Sequence, residues 1–207
     1  RAASLDYDAD GDIDLFIGGR VLPGRYPLAP ASYVLRNDRN KFVDVTKEVA
    51  PEFANIGMVS DLQFGNIDED AAPELIVVGE WMPVSVFKIA GGKLKLNAHD
   101  VNGFEHSNGF WNRLALADLD HDGDLDMVSG NLGLNSNYRA SADYPIQCYA
   151  SDFDANGSID PIITYFEGTT CYPMIQRDVM IKQLPILKKK YIRAHDYAAS
   201  SIEDIFT

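Results

Sequence analysis

The sequence runs to 207 residues, 46% hydrophobic and 24% charged, which is the apolar content of a globular chain and excludes bulk disorder. No apolar run approaches the roughly 20 residues of a membrane-spanning helix, and two cysteines are too few for a disulfide framework. Acidic residues outnumber basic ones by 31 to 18, a net charge of −13, whereas a nucleic-acid binder normally carries the opposite sign; a chain this acidic either repels itself or holds cations.

Taken in chain order, the acids recur in a pattern: acid, x, acid, x, Asp or Asn, Gly, x, apolar, acid. The first copy is Asp6, Asp8, Asp10, Gly11 and Asp14. A worn second copy follows as Asn66, Asp68, Asp70, Ala71 and Glu74, in which Ala71 replaces the turn glycine and Pro73 precedes the last acid. The third is Asp118, Asp120, Asp122, Gly123 and Asp126, and the fourth is Asp152, Asp154, Asn156, Gly157 and Asp160. Starts at 6, 66, 118 and 152 give spacings of 60, 52 and 34 residues. The first two suit a four-stranded unit. The third implies an abbreviated unit with 135–144 as a loop.

Each copy lies between β-prone apolar runs, Leu15–Ile17, Leu75–Val78, Met127–Val128 and Ile162–Tyr165 following them, so the acidic loop is expected to join two strands of a hairpin. Further strands are expected at Ser32–Leu35, Lys41–Val45, Val84–Ile89 and Lys93–Leu96. After residue 176 the pattern changes to helix, restarted at Pro185, with Lys188, Lys189, Lys190 and Arg193 as a solvated basic face. Ser200 and Glu203 read as a capping box for a last helix. That helix at the very end, and Arg1 in place of Met, lead us to expect a sequence cut from a longer chain; no signal peptide is visible.

Carboxylates at alternate positions converge in a tight loop, where Gly at the sixth place permits the sharp turn. Converging anions repel unless a hard cation sits among them. Calcium takes six to eight oxygens and tolerates irregular geometry. Positions 1, 3, 5 and 9 would supply side-chain oxygens (Asp6, Asp8, Asp10, Asp14; Asp118, Asp120, Asp122, Asp126; Asp152, Asp154, Asn156, Asp160), and position 7 a main-chain carbonyl from Asp12, Asp124 or Ser158. Zinc would prefer nitrogen or sulfur, and no His or Cys stands at a ligand position. An EF-hand is rejected because position 12 is Ile17, Ser129 and Ile163 in the three good copies, and the flanks read as strands. A plain Asp/Gly turn would explain one such loop; three with the same ninth acid favour the cation. Whether the loop from Asn66 to Glu74 binds metal is left open.

These loops resemble the FG-GAP/VCBS repeats, with Phe64-Gly65 as a surviving leading element and no Gly-Ala-Pro tripeptide following. The stretches Gly18-Gly19-Arg20, Gly79-Glu80-Trp81-Met82-Pro83 and Gly130 to Asn135 are similar to bacterial exported proteins of the ASPIC/UnbV-associated type. The resemblance implies a mainly β fold, a partial β-propeller of three to four blades over 1–176 with one blade abbreviated, followed by a helical segment over 177–207. It also implies Ca2+ on the ligand sets just named, and an extracellular, periplasmic or cell-surface location. An open arc of blades would expose sheet edges and self-associate.

The functional expectation is a calcium-stabilised binding module for a polysaccharide or protein ligand, with no nucleic acid and no membrane span. The alternative is a polysaccharide lyase or hydrolase, or a non-catalytic part of one, on the same scaffold. Glu80, Glu105, Glu167, His99, His106 and His195 are the acids and histidines left over, with no spacing to tie them together; His106 near Trp111 and Asn112 is the best pocket fragment. Cys148 and Cys171 read as strand residues, and no Gly-x-Ser-x-Gly elbow is present. Arg20, Arg25, Glu80, Trp81, Trp111 and Asn131 follow the second strands and are the candidates for a ligand face.

Overall fold

The computed structural model describes all residues other than 69, 71, 98–102, 138–139 and 207, and no side chain at 105. Ala71 and His99 of the sequence analysis, and the side chain of Glu105, therefore lie outside the described residues. The chain divides into two compact units, one of residues 1–22 and 28–132 and one of residues 23–27 and 133–207. Both are built on antiparallel sheets, and among the described residues no sheet closes on itself.

In the first unit, β1 (Ala2–Leu5), β2 (Asp14–Ile17), β3 (Tyr33–Asn37) and β4 (Phe42–Asp44) form a four-stranded meander. A short helix α1 (Thr46–Val49) leads to a second meander of β5 (Met58–Gly65), β6 (Glu74–Met82), β7 (Ser85–Ala90) and β8 (Lys93–Leu96). The hairpin of β9 (Gly109–Ala117) and β10 (Asp126–Asn131) joins this second sheet through Glu80–Phe110 and Met82–Gly109 pairing. No strand follows among the described residues of 132–146, as the short final spacing leads one to expect.

The strand β6 organises this unit because it is buried on both faces. Leu75 and Val77 point into a core with Phe16, Val34, Val45, Phe53, Val59, Leu62 and Phe87, drawn from both meanders. Ile76 and Val78 point the other way, into a cluster with Val84, Val86 and Leu114 that Trp111, Leu116 and Met127 flank. The continuous apolar run Leu75–Val78 has this cause: a strand with period-two side chains needs apolar residues at every position when sheets cover both its faces. Edge-to-face ring pairs, Phe16 with Phe64 at 4.9 Å and Phe53 with Phe87 at 5.8 Å, fill the first cluster.

In the second unit, β11 (Gln147–Ser151), β12 (Asp160–Glu167) and β13 (Thr170–Pro173) make a three-stranded sheet, and Cys148 and Cys171 are strand residues. The helices α2 (Arg177–Gln183), α3 (Ala194–Ala198) and α4 (Ile202–Phe206), with a 3-10 turn starting at Pro185, follow. Ile162 of β12 packs with Met180, Leu184, Leu187, Tyr191, Tyr197 and Ile205 of this helical segment. The last capping box is shifted by one residue from the expected Ser200 and Glu203. Ser201 N–H and Oγ donate to Asp204 at 2.9 and 2.8 Å, and Asp204 N–H donates back to Ser201 Oγ at 3.1 Å. Ser200 instead donates its hydroxyl to Asp196 O at 2.8 Å, closing α3.

Candidate functional site

All four acidic loops join the first two strands of a hairpin: β1 to β2, β5 to β6, β9 to β10 and β11 to β12. The acid at position 9 is in every case the first residue of the second strand. It folds back on its own loop: Tyr7 N–H donates to Asp14, Ile67 N–H to Glu74, Leu119 N–H to Asp126 and Phe153 N–H to Asp160, at 3.2, 3.2, 2.8 and 3.2 Å. Asp14 and Glu74 are almost wholly buried, and burial pushes both carboxyls above the ordinary carboxylate range.

The position-1 carboxylate closes the turn in the three loops that keep their glycine. Gly11 N–H donates to Asp6 at 3.0 Å, Gly123 N–H to Asp118 at 3.2 Å and Gly157 N–H to Asp152 at 2.8 Å. Those glycines sit at φ of +95°, +104° and +87°, a conformation that side chains with a Cβ rarely adopt. The position-5 side chain accepts the N–H of position 7: Asp12 on Asp10, Asp124 on Asp122 and Ser158 on Asn156, at 2.9, 3.0 and 2.8 Å. Asp12 also accepts the N–H of Arg39 at 2.9 Å.

The outcome is a gathering of oxygens. Ligand atoms of Asp6, Asp8 and Asp10 lie within 4.8 Å of one another, as do those of Asp118, Asp120 and Asp122, of Asp152, Asp154 and Asp160, and of Asp68, Asp70 and Glu74. Asp14 and Asp126 are not in those groups, whereas Glu74 and Asp160, which accept the corresponding main-chain N–H, are. The donor set is all oxygen, carried on short hairpin loops, and it fits a hard cation such as Ca2+ far better than zinc.

The second loop differs in one respect that sequence reasoning missed. Lys88 of β7 forms ion pairs with Asp68 and with Asp70, the latter at 3.0 Å, and its Nζ lies 4.0 Å from Glu74. These are positions 3, 5 and 9 of the repeat. The register could have revealed it: Leu75 pairs with Phe87, so one step further along the ladder sets Glu74 opposite Lys88. The same step in the first meander, from Leu15–Leu35, sets Asp14 opposite Arg36, but Arg36 turns to Asp38 at 2.7 Å. Among the described residues, no Lys or Arg side chain pairs with the acids of the other three loops.

At the far end of the hairpins, several ligand-face candidates do come together. Arg20 pairs with the buried Glu80, the Trp81 ring stands edge-on to Phe110 at 5.6 Å, and Asn131 Oδ1 accepts the Phe110 N–H at 2.9 Å. Register shifts leave Ser60, Trp81 and Asn112 as extra residues in β5, β6 and β9. Trp81 has a φ of +59°, an outlier for an aromatic residue. Bulges of this kind re-aim side chains at the ends of sheets. Trp111 Nε1 is committed to Ser107 O at 2.8 Å, and Arg25 belongs to the second unit.

The leftover acids and histidines do not assemble into a catalytic pair among the described residues. Glu80 is tied to Arg20, Glu167 ends β12, and His195 is exposed beside Asp196. His106 closes a 3-10 turn from Phe104. A 390 Å³ hollow in the second unit is lined by Tyr165, Tyr172, Arg177 and Tyr197, with Asp178 as its only acid. No described helix is long and apolar enough to cross a membrane. Neither a scan against protein-family models nor a search of curated proteins finds a match to this chain.

Proposed function

We propose that this chain is a calcium-binding module of an exported protein, a partial β-propeller of FG-GAP/VCBS-like blades that presents a face to a polysaccharide or protein ligand. The observation that carries the reading is the convergence of three acidic oxygen donors in a loop that recurs, with the same backbone hydrogen bonds, between the first two strands of successive hairpins. Asp6, Asp8 and Asp10; Asp118, Asp120 and Asp122; and Asp152, Asp154 and Asp160 with Asn156 would hold the ions. Asp14 and Asp126 would complete their shells by turning from the main chain, with the carbonyls of Asp12, Asp124 and Ser158.

Burial of β6 between the meander before it and the hairpin after it supports blades stacked in sequence order. A bound cation neutralises the carboxylates and pins each loop. Extracellular modules bind calcium at about 10⁻⁴–10⁻³ M, within reach of the calcium outside cells. The bulged end of the hairpins around Trp81, Phe110 and Asn131 is the ligand face, since an aromatic side chain flanked by polar ones suits a sugar ring or a peptide surface equally.

The test is a thermal melt in calcium and in excess EGTA. An ion binding only the folded state adds about 2.7 kcal/mol per site at 100 Kd of free ion. Calcium is expected to raise Tm by several degrees and magnesium much less. Superimposable melts in calcium and EGTA would overturn the reading.

A further inference from the structure

We infer that Lys88 is a built-in cation of the second acidic loop: its ammonium group takes the place that a divalent ion takes in the other three, so this loop binds no metal. The inference rests on the calcium reading for its contrast between loops, and on the Lys88 ion pairs for its substance.

Nζ of Lys88 reaches the carboxylates at positions 3, 5 and 9 together, Asp68, Asp70 and Glu74. In a metal loop these positions supply ligands to a single ion, and one ammonium group now occupies their focus. Glu74 is almost fully buried, with its side chain 2% exposed, and Lys88 is the only basic side chain near it among the described residues. The remaining parts of the loop have moved away from metal chemistry. Position 1 is Asn66, whose amide nitrogen donates to Asp70 O at 2.6 Å, where an aspartate in the other loops accepts the glycine N–H. An ammonium donates three hydrogen bonds and needs fewer oxygens around it than calcium. A loop that lost its first carboxylate and its turn glycine can still be satisfied by lysine. Lysine is carried by β7, hydrogen-bonded directly to β6, so the cation is supplied as soon as that hairpin forms, whatever the calcium concentration.

The experiment has two arms. In EGTA, Lys88→Met should lower Tm by about 2–4 °C, the shift of roughly 1 kcal/mol in a chain of this size, and Lys88→Arg should lower it less. Neutralising the two more exposed acids as well, in Lys88→Met/Asp68→Asn/Asp70→Asn, should recover part of the loss, since Glu74 stays buried without its lysine. This arm does not depend on calcium binding anywhere in the chain. An unchanged Tm in Lys88→Met, or no recovery in the triple variant, overturns the inference. In calcium, equilibrium dialysis with ⁴⁵Ca counts the ions. The unaltered chain should bind three and Asp68→Asn/Asp70→Asn should also bind three, while Lys88→Met gains a fourth, weaker one. A count that drops by one in Asp68→Asn/Asp70→Asn shows an ion in the second loop and overturns the inference while the calcium reading stands. A count of zero in the unaltered chain removes the calcium reading and leaves Lys88 to be decided by the EGTA melts.

Discussion

One carboxylate oxygen of Asp14 accepts the main-chain N–H of Asn37 at 2.8 Å, joining the end of the first acidic loop to the end of β3. Its other oxygen accepts Tyr7 N–H at 3.2 Å. Asp14 is wholly buried and Tyr7 nearly so, and the Tyr7 N–H would lose its partner without gaining water, whereas Asn37 is half-buried. Asp14→Ala should cost about 1–3 kcal/mol for the buried Tyr7 N–H that it strands, with a smaller addition at the half-buried Asn37. Asp14→Asn keeps a carbonyl acceptor and should cost less. Urea titration of both variants in EGTA measures the difference, and equal losses would show that charge, not the acceptor, is what the site needs.

Arg20 and Glu80 are an unequal pair, with the arginine side chain 47% exposed and the glutamate 3%. Removing the arginine strands a buried carboxylate, whereas the exposed partner by itself contributes little. Arg20→Ala should therefore destabilise by about 1–3 kcal/mol, and adding Glu80→Gln should return part of it. A double-mutant cycle by urea unfolding gives the coupling; strict additivity would show that the two side chains do not depend on each other.

Gly79 and Gly130 both lie in strands, yet they should respond in opposite ways to alanine. A Cβ on Gly79 would overlap the carbonyl oxygen of Met58 and stand 2.5 Å from Met82 Sδ. The carbonyl cannot withdraw, because β5 and β6 are paired there. Gly79→Ala should cost about 1–3 kcal/mol. Gly130 has nothing within 4 Å of such a Cβ, so Gly130→Ala should be neutral or stabilise by up to about 0.5 kcal/mol. Thermal melts of the two variants side by side are sufficient.

Acid should unmask the capping box of α4. The Ser201 hydroxyl and then its N–H hold the Asp204 carboxyl below the ordinary carboxylate range. A depressed pKa means that the folded state binds fewer protons, so the contribution is fully present above the unfolded value of about 3.9 and is lost as pH falls through the folded one. Asp204→Asn should thus be less stable than the unaltered chain at pH 6 and match it near pH 2. Ser201→Ala should cost about 1 kcal/mol at neutral pH, as N-cap losses do. A gap that stays constant from pH 6 to pH 2 would contradict this account.

The hairpins and their loops were legible because they depend on near neighbours. Alternating acids, a glycine and flanking apolar runs act within nine residues, and each loop does join two strands; β8 at Lys93–Leu96 lies where it was expected, whereas β6 runs on to Met82, past the expected Val78, and β10 to Asn131, past Val128. Lys93–Leu96 needed only a Gly-Gly turn before it to be located. The capping box shifted by one residue because Ser200 and Ser201 offer the same hydroxyl, and only the end of α3, where Ser200 reaches Asp196 O, decides between them.

Local pattern by itself determined that the chain is mainly β, that its acids sit at hairpin connections and that a helical segment follows. Only the tertiary structure decided which acids are held by the main chain, which meet one another and which meet a lysine. Lys88 is 14 residues from Glu74 along the chain but opposite it across a ladder, and Arg36 in the matching place turns to Asp38 instead. The physical reason is that a charge is settled by whatever lies within a few ångströms of it, and the folding of one strand against the next sets that distance.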